Sequence, residues 1–161
     1  MEAKTMPDFN ELQNRPLFVG VDSEAYNEFA EVASYHEYHP GEVIIQEGDQ
    51  NDTLMIIEKG QVEVFKGNLS LYDNDQKIAT VSGNRKIGDI FRGDILGEMS
   101  LIDVEPASAT VRAVSNVGIW SFKRVDFAGV LRKNLTAYIV IITNIARILS
   151  RRLRDAGKIT L

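Results

Sequence analysis

The chain has 161 residues, 44% of them apolar, and a formal net charge of −5, which suits one domain with a sizeable core and not the basic excess of a nucleic-acid binder. It contains no cysteine, so disulfides, thiol catalysis and zinc–thiolate sites are excluded. No apolar run approaches the roughly 20 residues that span a bilayer, and Met1-Glu2-Ala3-Lys4-Thr5 lacks the apolar stretch of a signal peptide; the expectation is a cytoplasmic chain with no membrane partner.

The first readable element is a helix opened by Asp22-Ser23-Glu24. Asp22 can cap the free N–H groups, Glu24 complements the helix dipole, and Phe29, Ala30 and Ala33 continue at helical spacing. From Tyr38 to Phe122 the period changes to short β-branched and aromatic runs: Val43-Ile44-Ile45, Leu54-Met55-Ile56-Ile57, Val62-Glu63-Val64, Ile78-Ala79-Thr80-Val81, Thr110–Val114 and Ile119-Trp120-Ser121-Phe122. Turn signals separate them at Pro40-Gly41, Gly48-Asp49, Lys59-Gly60, Gly67-Asn68, Asp73-Asn74-Asp75 and Ser82-Gly83-Asn84. Strands at this spacing favour a β-roll or jelly roll over a parallel sheet. After Phe122 the helical period returns. Val125, Phe127, Val130 and Leu131 make a short helix, and a longer one is expected from about Leu135 to about Ala156. Its apolar positions Leu135, Tyr138, Ile139, Ile142, Ala146, Leu149 and Leu153 lie three and four apart. Val140, Ile141 and Ile145 widen the stripe beyond one contact face, so two partners are expected, the barrel and a second copy of the same helix.

The segment Gly93-Asp94-Ile95-Leu96-Gly97-Glu98-Met99-Ser100-Leu101-Ile102, followed by Pro106-Ala107-Ser108-Ala109-Thr110, carries the functional information. It reads as a glycine turn, a short helix, a small-residue turn and a strand. Free N–H groups at a helix start and the dipole there favour an anion. Glu98 is placed to accept hydrogen bonds from a sugar hydroxyl.

In this segment the chain resembles the phosphate-binding cassette of the cyclic nucleotide-binding domain family. Other stretches match the family in order: Arg15-Pro16-Leu17-Phe18, Tyr38-His39-Pro40-Gly41-Glu42-Val43-Ile44, Gln46-Glu47-Gly48-Asp49, Ile56–Val64, and Phe122-Lys123-Arg124-Val125-Asp126-Phe127. The resemblance implies one domain: an N-terminal helical segment over about residues 1–36, a double-stranded β-helix or jelly-roll β-roll over 37–122 with its cassette at 93–110, and C-terminal helices over 123–156 that report ligand binding. It implies a regulatory module with cAMP or cGMP as effector, no required cofactor, and a ligand site of Gly97, Glu98, Met99, Ser100, Ala107, Ser108, Ala109 and Thr110.

Two departures bear on that site. The position after Pro106, an arginine in the family, is Ala107. A charge-assisted contact is worth roughly 1.5–3 kcal/mol, about a tenfold to hundredfold change in affinity. The second departure is the sequence before the cassette, Lys86-Ile87-Gly88-Asp89-Ile90-Phe91-Arg92, which brings Arg85, Lys86 and Arg92 as candidate compensating cations against the alternative of an ordinary solvated loop. The other function class is therefore a degenerate member that binds no cyclic nucleotide and serves as a dimerisation or protein-interaction module.

Other chemistry is not expected. His36 and His39 stand three apart, on opposite faces of a strand, and would not share a metal. There is no phosphate loop and no nucleophile elbow, so the chain does not read as an enzyme. Basic residues gather towards the C-terminus (Lys123, Arg124, Arg132, Lys133, Arg147, Arg151, Arg152, Arg154, Lys158). Only about five residues follow Ala156, too few for a helix-turn-helix, and the basic turn complements the helix dipole. The expected partners are a small-molecule effector and a second copy through the 135–156 helix, with no nucleic acid bound by this chain alone.

Overall fold

The computed structural model describes residues 7–90 and 93–156, apart from the side chains of 68–72, 80–85, 99, 100 and 156. A 3-10 turn, Phe9–Leu12, precedes helix α1, Ser23–Val32. Among the described residues eight strands follow: β1 Ser34–Tyr38, β2 Val43–Ile45, β3 Thr53–Lys59, β4 Val62–Asp73, β5 Gln76–Ile90, β6 Ile95–Leu96, β7 Thr110–Ala113 and β8 Val117–Lys123. The short α2, Met99–Ile102, interrupts them, and α3, Arg124–Lys133, and α4, Leu135–Ala156, close the chain. The strands form two antiparallel sheets, ordered β1-β8-β3-β6 and β2-β7-β4-β5.

Alternation along β3 and β8 creates two cores. Leu54, Ile56, Trp120 and Phe122 point to one face and join Phe9, Phe18, Tyr26, Phe29 and Phe127 beneath the helices. Met55, Ile57, Val117 and Ile119 point to the other face, into the barrel, where they meet Ile45, Val62, Leu96 and Val111. Successive strand side chains point to opposite faces, so one pair of strands serves both clusters. The helical layer is fixed by polar ties at its ends. Asp22 Oδ1 accepts from Ala25 N at 2.9 Å and caps α1. Asn134 Oδ1 accepts from Ala137 N at 3.0 Å and caps α4, while its Nδ2 donates to Asp22 Oδ2 at 3.1 Å. Buried Asn144 on α4 donates to the carbonyls of Leu17 and Val19, each at 2.9 Å, and pins the loop before α1 against the last helix.

Three expectations change. Gly67-Asn68 and Ser82-Gly83-Asn84 are not turns. They lie within β4 and β5, a long hairpin whose register shifts between Lys66 and Asn68. A bulge takes up an extra residue without reversing the chain, and the reversal comes only at Asn74 and Asp75, both with positive φ (47° and 64°), as a tight hairpin turn demands. The stretch before the cassette is correspondingly strand as far as Ile90, not a loop. The strands also begin at Ser34, slightly before the expected boundary at 37.

On α4, Ala137, Ile141, Ile145 and Ile148 are buried against the body. The stripe of Leu135, Ile139, Ile142, Ala146, Leu149 and Leu153 lies mostly on the other face, with Leu135 74% and Leu153 77% exposed, while Ile142 and Leu149 are half-buried and Leu149 packs against the core. Among the described residues no helix is long and apolar enough to cross a membrane.

Candidate functional site

The cassette is held against the β2–β3 loop by backbone bonds. Ala107 N donates to Asp49 O and Gly48 N donates to Ala107 O, both at 2.8 Å. Thr110 Oγ1 accepts from Glu47 N at 3.0 Å and from Gln46 Nε2 at 3.1 Å. Gly97 has φ +72°, and a Cβ there would sit 2.4 Å from Thr53 O. Only glycine fits this turn, which brings Glu98 inward.

Behind these contacts lies a cavity of about 230 Å³. Its apolar wall is Ile45, Val64, Ile90, Leu96 and Val111; its rim is Gly97, Glu98, Glu105, Pro106, Ala107, Ser108 and Ala109, with Asn51 and Arg152. Five of the eight expected ligand-site residues therefore line one cavity: Gly97, Glu98, Ala107, Ser108 and Ala109. Thr110 instead fastens β7 to the end of β2. Met99 and Ser100 open α2, and their side chains lie outside the described residues.

Arg152 is the residue that sequence reasoning missed. It comes from α4, and its Nη1 stands 2.9 Å from Glu98 Oε1. Its Nη2 donates to the carbonyl of Ile95 and lies 3.6 Å from Asp94 Oδ1. Glu98 is nearly buried, its side chain 11% exposed, and Arg152 is 31% exposed. A carboxylate taken that far from water needs a partner, and α4 supplies it. The signal was present in the helix period: Arg152 follows Ile141, Ile145 and Ile148 on the buried stripe, where a charged side chain has to meet an opposite charge.

Of the expected compensating cations, only the Lys86 side chain lies among the described residues. Lys86 does not line the cavity. Its Nζ lies 2.9 Å from Asp89 and 3.1 Å from Glu63 on the β4–β5 hairpin. Hydrogen bonds to Asp89 and then Glu63 hold the amine above the usual lysine pKa, and the same contact with Lys86 lowers that of Asp89. Arg85 pairs through its backbone with Lys66, its side chain outside the described residues, and Arg92 also lies outside them. Lys66 was not foreseen. Its Nζ donates to Ser108 O at 2.6 Å, which ties β4 to the cassette turn without lining the cavity.

The profile of the family described as "Cyclic nucleotide-binding domain" matches residues 35–134. The chain belongs to this family. The Thermus thermophilus cyclic AMP receptor protein is 27% identical over 90% of this chain and 60% of its own length. The crystal structure of a cyclic nucleotide-binding domain from Methylobacillus flagellatus superposes with a TM-score of 0.75 over 92% of this chain and 79% of that one at 23% identity, a likeness of fold. The regulatory subunit of a cAMP-independent protein kinase A from Trypanosoma cruzi, bound to guanosine, has a TM-score of 0.64 and 30% identity, covering 76% of this chain and 39% of that one. The chain thus spans about three fifths of the Thermus protein and less of the kinase subunit. These relatives share a mainly antiparallel β-roll with flanking helices, and the named ones are receptor and regulatory proteins.

Proposed function

We propose that this chain is the sensing part of a regulatory protein, and that its cavity takes a ribonucleoside-type effector in preference to a cyclic nucleotide. The Arg152–Glu98 pair carries this reading. Among the described residues the cavity is lined by two carboxylates, Glu98 and Glu105, and one cation, Arg152, already bonded to Glu98. A cyclic phosphodiester entering it would give up water without finding a counter-charge at Ala107. An uncharged ribonucleoside brings the hydroxyls that Glu98 can accept from and a base for the apolar wall. The guanosine bound to the Trypanosoma cruzi regulatory subunit supports this choice. Occupancy would pass to α4 through Arg152: a ligand that excludes water from the ion pair lowers its effective dielectric and strengthens it, holding the last turns of the helix to the cassette.

The outer apolar stripe of α4, exposed at Leu135, Ile139, Ala146 and Leu153 and half-buried at Ile142 and Leu149, supports a homodimer. Leu135, Ile139, Ile142, Ala146, Leu149 and Leu153 alternate four and three apart, the repeat of a coiled-coil seam. A second reading, favoured by Ala107, keeps only this dimerisation role. On either reading the chain acts by binding and not by catalysis, needs no cofactor, and engages neither nucleic acid nor membrane by itself.

Calorimetric titration with guanosine, adenosine, cyclic AMP and cyclic GMP separates the readings. The sensor reading expects a nucleoside to bind more tightly than its cyclic nucleotide, and Ala107→Arg to reverse the order. No heat with any of the four at millimolar ligand leaves the dimerisation reading.

A further inference from the structure

A second concavity, of about 720 Å³, lies away from the cassette, between α4 and the loop before α1. Its walls are Asn14, Pro16 and Val19 on one side and Thr143, Asn144, Ala146, Arg147, Ser150, Arg151 and Arg154 on the other. The loop wall is fixed, because Asn144 Nδ2 holds the carbonyls of Leu17 and Val19. Among the described residues no carboxylate lines the groove. Among the described residues Arg147 and Arg151 have no ion-pair or hydrogen-bond partner, and Arg154 donates only to Ser150 Oγ at 3.1 Å. All three are exposed.

Their spacing orders them. At 3.6 residues per turn, positions 147, 151 and 154 fall within an arc of about 60° on α4, apart from both the buried face and the apolar stripe. Along the axis they stand about 6 Å and about 4.5 Å apart. Three desolvation-tolerant guanidiniums in line, in a chain of net charge −5, are a local reversal of sign. A compact polyphosphate would favour cations converging on a point. This array instead runs along the groove over about 10 Å of helix axis, so that the carboxylates of an extended acidic segment, and not one compact anion, can meet the guanidiniums in turn.

We propose that this groove is a docking site for an extended acidic segment of a partner protein, with Arg147, Arg151 and Arg154 as carboxylate receptors and Asn14, Thr143 and Ser150 available to its backbone. Arginine suits the task because its planar fork takes a carboxylate bidentately and loses little hydration. The site is independent of the barrel cavity and of what fills it.

The test is fluorescence polarisation of the whole chain against a labelled peptide with glutamate at alternate positions, with single-stranded DNA and tripolyphosphate as competitors. The expected result is saturable binding that weakens with salt, falls at least tenfold in the Arg147→Gln/Arg151→Gln/Arg154→Gln variant, and stays unchanged in Lys123→Gln/Lys133→Gln. Since the three arginines are exposed, the fold should survive, as circular dichroism would verify. Arg151→Glu should in turn gain affinity for the matching peptide with lysine in place of glutamate. Equal binding by the triple variant, no binding by the unaltered chain, or displacement by DNA or tripolyphosphate at concentrations below those of the unlabelled peptide would each overturn the proposal.

Discussion

The two faces of the β3–β8 pair are filled in opposite ways. Beneath the helices, Phe9, Phe18, Tyr26, Phe29, Trp120, Phe122 and Phe127 meet ring against ring, with centroids 4.6 to 6.4 Å apart. Inside the barrel, aliphatic and small residues stop short of closing the space, and Ile45, Val64, Leu96, Ala107 and Val111 border a cavity. Large rigid rings give the helical layer a fixed seat, while short side chains on the far face leave room for a guest. Arg152 is where the two meet, since it leaves the helical layer and ends at the cavity rim.

The contrast can be broken most severely in the aromatic layer. Phe18→Ala should cost about 3–5 kcal/mol, read by chemical denaturation, and loosen α4 along with α1. Leu96→Ala, on the cavity side, should cost about 2 kcal/mol, the low end for such truncations, because its neighbourhood is already open. Equal losses would mean that the two faces are packed alike. Gly97→Ala comes next, at about 1–3 kcal/mol, since it combines positive φ with a clash against Thr53 O; its main signature should be lost ligand binding. Arg152→Ala should cost about 1–2 kcal/mol, below the cost for a fully buried pair because the guanidinium is 31% exposed. Pairing it with Glu98→Gln should recover part of that loss, as a double-mutant cycle would measure.

The smallest effect is at a helix end. Asp22→Ala removes the α1 cap and should cost about 1 kcal/mol. The backbone hydrogen bond from Ala25 chiefly holds the Asp22 carboxyl below its ordinary value of 3.8. Its contribution is therefore present above that value and lost as pH falls through the lower folded value. In pH-dependent unfolding, the gap between Asp22→Ala and the unaltered chain should accordingly be present at neutral pH and close in acid below about pH 4.

Much of this was legible in the sequence. The Asp22 cap and the long helix followed from local pattern, and the grouping of Glu98 with Ala107 and Ser108 from the resemblance of residues 93–110 to the family's cassette. The β4–β5 hairpin did not, because Gly67 and Gly83 carry the composition of turns while lying within strands, and the register shift between Lys66 and Asn68 belongs to a pairing that composition does not encode. Arg152 was hidden for a different reason. It sits 54 residues from Glu98 within a run of basic residues, and only its helical phase separates it from Arg151 and Arg154, which face the outer groove. A missing arginine beside Pro106 invited a search for nearby cations, whereas the charge that meets Glu98 comes from the last helix.

Amide hydrogen exchange over the last two turns of α4 tests the Arg152 relay most directly. With saturating guanosine, residues 149–156 should exchange more slowly than in the free chain, and Arg152→Ala should abolish the difference. Unaltered exchange in the nucleoside-loaded chain, or the same slowing in Arg152→Ala, would contradict the account.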